Sequence, residues 1–406
     1  MKRSRKRLAA AALAVVAVAA GGEVGARVMA TRDVDGNVFV RSTRLRPFRP
    51  PIERTRAILA EYDEQTVVMY DERLGWVPRP SGVYRDGMYT INSAGLRTLS
   101  GEEYDLEPAD GRTRIGFFGD SYVEGADVAY DDSFAHLVEV ELREAGHDVE
   151  VLNFACGGWG IDQAYLRWEE LGADYGLDAV VVGFQAENAM RNLNVLRPLY
   201  FYGTGLPFSK PRFVLDGDAL ALVNVPAIPP DAVPEVMAGL GTWDLREHER
   251  FYDEAHYGAP WYGGSRALGF LLQRLERRRA RSEAVQIERY ASDGEAGRLV
   301  EAIFGRFAAE ADEAGAAFSL VHIPKRADLR RVGAGSDLVY ADLFADLGSK
   351  YSIHDPTDAM LSHAQDAGLG SLFVSSRIGH YSAVGNGIVA RVIASDLAPT
   401  LRNDDR

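Results

Sequence analysis

The stretch Arg114-Ile115-Gly116-Phe117-Phe118-Gly119-Asp120-Ser121-Tyr122 decides how this chain is read. A β-branched and aromatic run stops at a Gly-x-Ser turn, and the helical spacing of Phe134-Ala135-His136-Leu137-Val138 follows. Strand, tight turn and helix are predicted in that order. Such a turn places a serine hydroxyl at the carboxyl edge of a parallel sheet, beside the unpaired N–H groups of a helix start. A serine there is placed to attack an ester carbonyl. A Gly-Asp-Ser triplet also arises by chance as an N-cap or turn serine, so the rest of the chain decides between the two.

Working outward, strand-like runs recur at 149–154, 179–184 and 317–323. Helical windows lie near 132–145, 161–171, 296–314, 336–348 and 383–397. This alternation predicts βαβ units and a parallel sheet covered on both faces. Ligands of such sheets sit at the strands' carboxyl ends. Residues 195–290 interrupt the pattern with an insertion. It holds a hairpin signal at Phe213-Val214-Leu215-Asp216-Gly217-Asp218-Ala219-Leu220, an aromatic-rich stretch and a helix at 265–281. Residues 66–110 read as a β lead-in, and the polar, proline-marked 31–65 as a linker. The main domain is expected over 111–402.

At 406 residues and 47% hydrophobic the chain has enough apolar side chains for a sizeable core. Its net charge is −14; residues 1–30 carry a net +5, which leaves the body near −19. So acidic a body excludes nucleic acid as a partner and is explained by a solvated exterior. Residues 2–7 are basic and precede an apolar or small-residue stretch over 8–22. That pattern is read as a signal peptide, with Val28-Met29-Ala30 as a cleavage site, or as an uncleaved membrane anchor. Either places the body outside the cytoplasm, periplasmic or secreted. The single cysteine, Cys156, excludes an internal disulfide and reads as a small buried residue.

Acyl transfer needs a nucleophile, a base and donors aimed at the developing oxyanion. Four places supply those types in a workable order. Ser121 follows the first core strand. Gly158, in Gly157-Gly158-Trp159, follows the second, where glycine lets a backbone N–H approach a ligand. Asn188 follows the third and can donate an amide. His380, in Gly379-His380-Tyr381-Ser382, precedes the last helix, with Ser382 as its N-cap.

This arrangement resembles the SGNH/GDSL hydrolase family over roughly residues 66–400. The lead-in Leu74-Gly75-Trp76 and Ile91-Asn92-Ser93-Ala94-Gly95-Leu96-Arg97 is similar to that of a bacterial extracytoplasmic subgroup. The resemblance implies a three-layer α/β/α, flavodoxin-like fold with an inserted segment. It gives Ser121 the place of nucleophile and His380 that of general base. The oxyanion donors it implies are the N–H groups of Ser121 and Gly158 and the Asn188 amide, with Asp120 in support. No metal or organic cofactor is implied. The expected activity is hydrolysis or transfer of an ester-linked acyl group, the substrate being an acyl ester of a carbohydrate or a lipid.

The chain departs from the family where an aspartate usually stands two or three residues before the histidine. Here those positions are Ile378 and Arg377, and the asparagine block reads Glu187-Asn188-Ala189. An acid that orients the imidazole contributes up to about 10⁴-fold in rate. Asp355, Asp358 or a backbone carbonyl is expected to substitute, or the chain is an impaired relative that binds an acylated glycan or a partner protein. Of the other histidines, His322 is expected in the core, and His354 and His363 on the surface with no metal-ligand spacing.

Overall fold

The 31–65 stretch is not a linker. In the computed structural model, which describes residues 2–63, 65–217, 219–374 and 379–401 and side chains from residue 13 onward, it folds. Strands β1 (Ala30–Arg32), β2 (Val38–Val40) and β3 (Thr43–Leu45) form an antiparallel meander, followed by helix α2 (Ile52–Ala60). Its polar residues satisfy one another, which composition does not reveal. Buried Asn37 accepts the Arg49 N–H and an Arg44 guanidinium hydrogen on Oδ1, and donates to the Arg49 carbonyl and the Tyr202 hydroxyl. The Arg44 guanidinium lies 4.4 Å from the ring centroids of both Phe48 and Tyr202.

These strands belong to a unit formed by Met1–Glu61, Leu196–Pro207 and Pro230–Gln286. It contains helix α1 (Lys2–Val28) and a helix over Arg266–Ala280. Glu23 of α1 accepts the Ser265 hydroxyl and the N–H groups of Arg266 and Ala267, closing the start of the second helix. These bonds, led by that from Ala267, hold its carboxyl well below the usual range. The expected export segment lies within α1, where Leu13, Val15, Val16 and Val18 are exposed. No described helix is long and apolar enough to cross a membrane.

The single domain expected over 111–402 is also divided. The second unit comprises Tyr62–Val195, Phe208–Pro229 and Ile287–Arg406. The expected insertion is therefore split: 208–229 belong to this unit, and 196–207 and 230–286 to the first. In the second unit the lead-in forms two small antiparallel sheets. One pairs β4 (Val68–Asp71) with β5 (Gly75–Pro78); the other joins β6 (Gly82–Tyr84), β7 (Tyr89–Ile91) and β8 (Arg97–Thr98).

The main sheet follows, with β9 (Thr113–Phe118), β10 (Val149–Asn153), β11 (Ala179–Phe184), β14 (Ala317–His322) and β15 (Ser352–His354). A hairpin of β12 (Arg212–Asp216) and β13 (Ala219–Val223) intervenes in sequence. Asp218, expected at that hairpin's turn, lies outside the described residues. The five main strands are all parallel, in the order β10-β9-β11-β14-β15, the doubly wound arrangement expected. β15 and the helices over Arg326–Gly333 and Thr357–Ala367 are short and were not anticipated.

Both faces of the sheet are covered. Ile115, Phe117, Val149, Val151 and Val181 pack with helix α4 (Phe134–Glu144) and the helix over Ala383–Leu397. From the other face Phe118 stacks on Phe154 and meets the edges of Trp168, in helix α5 (Ile161–Glu170), and Phe307, in the helix over Glu295–Glu313. Burying each such phenylalanine contributes about 1.5–3 kcal/mol. A rigid sheet thus fixes the carboxyl ends of β9, β10 and β11 side by side.

Candidate active site

The turn after β9 is built by its own residues. Gly119 has φ +153, and a Cβ there would lie 2.5 Å from the Val123 side chain. Asp120 then caps the short helix α3 (Ser121–Glu124), its Oδ1 accepting the Tyr122 N–H at 3.0 Å. Ser121 is the first residue of that helix. Gly125, in the left-handed region at φ +80, ends it, and the chain doubles back through Ala126 and Asp127.

His380 comes from the other end of the sequence. Its Nε2 lies 2.9 Å from Ser121 Oγ, and its Nδ1 lies 2.7 Å from Oδ2 of Asp127. A carboxylate can only accept there, so Nδ1 carries the proton and Nε2 is left to accept the serine hydroxyl. The ring is buried and meets Tyr122 edge to face at 5.0 Å. The Tyr122 hydroxyl donates to the Gly379 carbonyl at 3.3 Å, and the Val374 N–H to the His380 carbonyl at 2.9 Å. Ser382 caps the following helix through the Gly385 N–H, as expected.

The orienting acid is therefore Asp127, which the sequence reading did not anticipate. The one local clue is a carboxylate two residues beyond a helix-ending glycine. Of the acids expected to substitute, Asp355 accepts from His322 Nδ1 at 2.8 Å and from Thr357, and Asp358 is exposed in the first turn of a helix. Arg377 and Ile378 lie outside the described residues. His322 is a buried core residue, bonded also to the Tyr340 hydroxyl. His354 departs from the surface expectation: it is buried between Asp396 and Ser319. His363 is half-buried.

The loop after β10 is stitched to the Ser121 turn. The Cys156 N–H donates to the Gly119 carbonyl at 3.2 Å. The indoles cross-brace it: Trp76 donates to the Gly157 carbonyl at 3.0 Å and Trp159 to the Trp76 carbonyl at 2.9 Å. Gly158 takes φ +84, which a side chain would disfavour. Neither its N–H nor that of Ser121 has a hydrogen-bond partner among the described residues. The buried Glu124 carboxylate lies against Gly157, its Oε2 3.1 Å from where a Cβ there would stand, and burial pushes its pKa up to about 7.

Asn188 departs from its expected oxyanion role. It lies in helix α6 (Ala186–Arg191), after β11; its Oδ1 accepts the Gln185 N–H, and its Nδ2 faces Asp120 Oδ2 at 3.0 Å and the Trp159 carbonyl at 3.4 Å. Both amide hydrogens are thus directed to protein acceptors. Asp120 is the hub, since Arg191 donates to the same oxygen at 2.8 Å and Gln185 adds a further hydrogen bond. Asp120 thereby ties the serine turn to the start of α6.

No family model matches this chain, and no curated protein matches it. Many solved structures of GDSL/SGNH lipolytic hydrolases are similar to it at low identity. A lipase/acylhydrolase from Enterococcus faecalis is 13% identical with a TM-score of 0.36, covering 72% of this chain and 100% of its own. A lipolytic protein of the G-D-S-L family from Desulfitobacterium hafniense is 8% identical at 0.34, covering 70% and 98%. A catalytic mutant of an acetylxylan esterase from Geobacillus stearothermophilus is 12% identical at 0.35, covering 70% and 94%. Among the described residues no cluster of histidine, cysteine or acidic side chains could hold a metal ion.

Proposed function

We propose that this protein is a serine-dependent ester hydrolase acting through an acyl-serine intermediate. The observation that carries the reading is the unbroken relay from Ser121 Oγ through the His380 ring to Asp127, at 2.9 and 2.7 Å. His380 Nε2 takes the hydroxyl proton as Oγ bonds to the carbonyl carbon. The N–H groups of Ser121 and Gly158 are available to the tetrahedral oxyanion. On collapse the carbon–oxygen bond to the alcohol breaks, and His380 returns the proton to that alcohol. Water, deprotonated by the same nitrogen, then releases the acid and restores Ser121; a carbohydrate hydroxyl in place of water would make the reaction a transfer. Asp127 stabilises the imidazolium formed in each step.

The alternative of an impaired binding protein rested on a missing carboxylate, which Asp127 replaces. The basic 2–7 segment before the apolar 8–22 stretch supports action outside the cytoplasm. A fluorophosphonate probe tests the chemistry: the wild type is expected to label and Ser121→Ala not to. Absence of labelling on folded wild type would overturn the proposal. Acyl release with and without a carbohydrate acceptor separates hydrolysis from transfer.

A further inference from the structure

We infer that Arg97 is the positioning residue of this site, acting through the turn that carries Asp127; the inference rests on the proposed serine chemistry. Arg97 stands on β8 and is 1% exposed. Its Nη1 donates to the carbonyls of Glu124 at 2.7 Å and Gly125 at 2.6 Å, and its Nη2 to those of Val128 at 2.8 Å and Met88 at 2.7 Å. Three of the four acceptors bracket Asp127, two before it and one after. The guanidinium carbon also lies 3.9 Å from the Tyr89 ring centroid and 5.6 Å from that of Tyr130.

The turn needs such a hold. Asp127 adopts φ +67, in the left-handed region that residues with a Cβ uncommonly take. Neighbouring structure must over-determine such a conformation for it to persist. Arg97 holds carbonyls on both sides of Asp127, and its guanidinium lies over the Tyr89 ring. The same carbonyl clamp fixes Glu124, whose carboxylate lies against Gly157, next to Gly158, with Oε2 3.1 Å from where a Cβ on Gly157 would stand. One buried side chain therefore sets the acid of the relay and one wall of the oxyanion turn. A lysine keeps the charge but lacks the rigid fork that reaches four carbonyls.

A double-mutant cycle on 4-nitrophenyl acetate, with the full chain, tests this. Arg97→Lys is expected to lower kcat about 10²-fold through displaced geometry, with KM changed less than about threefold. In the Asp127→Asn background Arg97→Lys is expected to add less than about threefold, because its effect runs through Asp127. A merely structural arginine would give a multiplicative loss in that background, and that result would overturn the inference. So would full kcat in the folded single variant. If Arg97→Lys does not fold, Tyr89→Leu removes the ring that the guanidinium lies against. It is expected to lower kcat about tenfold, again without effect beside Asp127→Asn, and an unchanged kcat overturns the inference. An unlabelled, inactive wild type would instead refute the serine chemistry, and this inference with it.

Discussion

Among the described residues the second unit holds two Ser–His–Asp constellations, alike in connectivity and distance and different in setting. At the sheet's carboxyl rim, Ser121, His380 and Asp127 are linked at 2.9 and 2.7 Å. Within the sheet, Ser319, His354 and Asp396 are linked at 3.1 and 3.0 Å. Ser319 lies inside β14, opposite Val181 on one side and Ser352 on the other, and is buried. Its backbone belongs to a ladder, and no turn opens beside it for a carbonyl group. Ser121 stands on a turn, and neither its own N–H nor that of Gly158 has a partner among the described residues. Hydrogen-bond lengths alone thus do not mark a nucleophile. The turn, the unpaired donors and the reach of a substrate do.

The comparison is broken most directly at the serines. Ser121→Ala is expected to abolish fluorophosphonate labelling and to lower kcat on 4-nitrophenyl acetate by about 10⁶-fold. Ser319→Ala should leave kcat within about threefold and cost about 1 kcal/mol of stability in denaturant unfolding, the worth of one buried hydrogen bond. Comparable losses at both positions would erase the distinction drawn here.

A second contrast concerns glycine. Gly158→Ala strains a backbone at φ +84 and tilts a donor, so kcat should fall about 10²-fold. Gly315→Ala, at φ +81 in the turn before β14 with nothing within 4 Å of the added carbon, carries a similar strain far from the rim. It should cost roughly 1–2 kcal/mol in an unfolding experiment and leave kcat unchanged. Equal effects on kcat would deny Gly158 an oxyanion role.

The smallest effect sharpens the comparison by pH. Burial raises Glu124, at the end of the Ser121 turn, from 4.5 to about 7. The folded state therefore binds a proton that the unfolded chain has already released. Its contribution to stability is fully present below pH 4.5 and is lost as pH rises through 7. Glu124→Gln should match the wild-type melting temperature at pH 4 and exceed it at pH 8, narrowing the difference between the two conditions. Glu170, raised for the same reason, keeps part of that slope in both proteins. An unchanged pH dependence in Glu124→Gln would show that its carboxyl is not desolvated.

Much of the rim was legible because its signals are local. The apolar runs became β9, β10, β11 and β14 to within a residue or two of their expected ends, and the Gly119-Asp120-Ser121 turn placed the serine where such turns do. Asp127 was not legible. Its role depends on a left-handed turn and on a partner 253 residues away, and neither leaves a periodic trace. Asn188 was found at the right strand end, but its amide orientation is set by Asp120 from another loop. The 31–45 meander was misread because Arg44 and Asn37, which look solvated in sequence, satisfy each other: Arg44 donates to Asn37 Oδ1, and Asn37 is buried. His354 was misread for a related reason: its burial depends on Ser319 and Asp396, from a different strand and a different helix.

The central claim is that Asp127, and not the acid of the buried constellation, orients the catalytic imidazole. It is tested most directly by steady-state turnover of 4-nitrophenyl acetate in Asp127→Asn and Asp396→Asn. The account predicts a fall in kcat of about 10⁴-fold with KM little changed for Asp127→Asn, and less than about threefold for Asp396→Asn. An Asp127→Asn enzyme that retains wild-type kcat would contradict it.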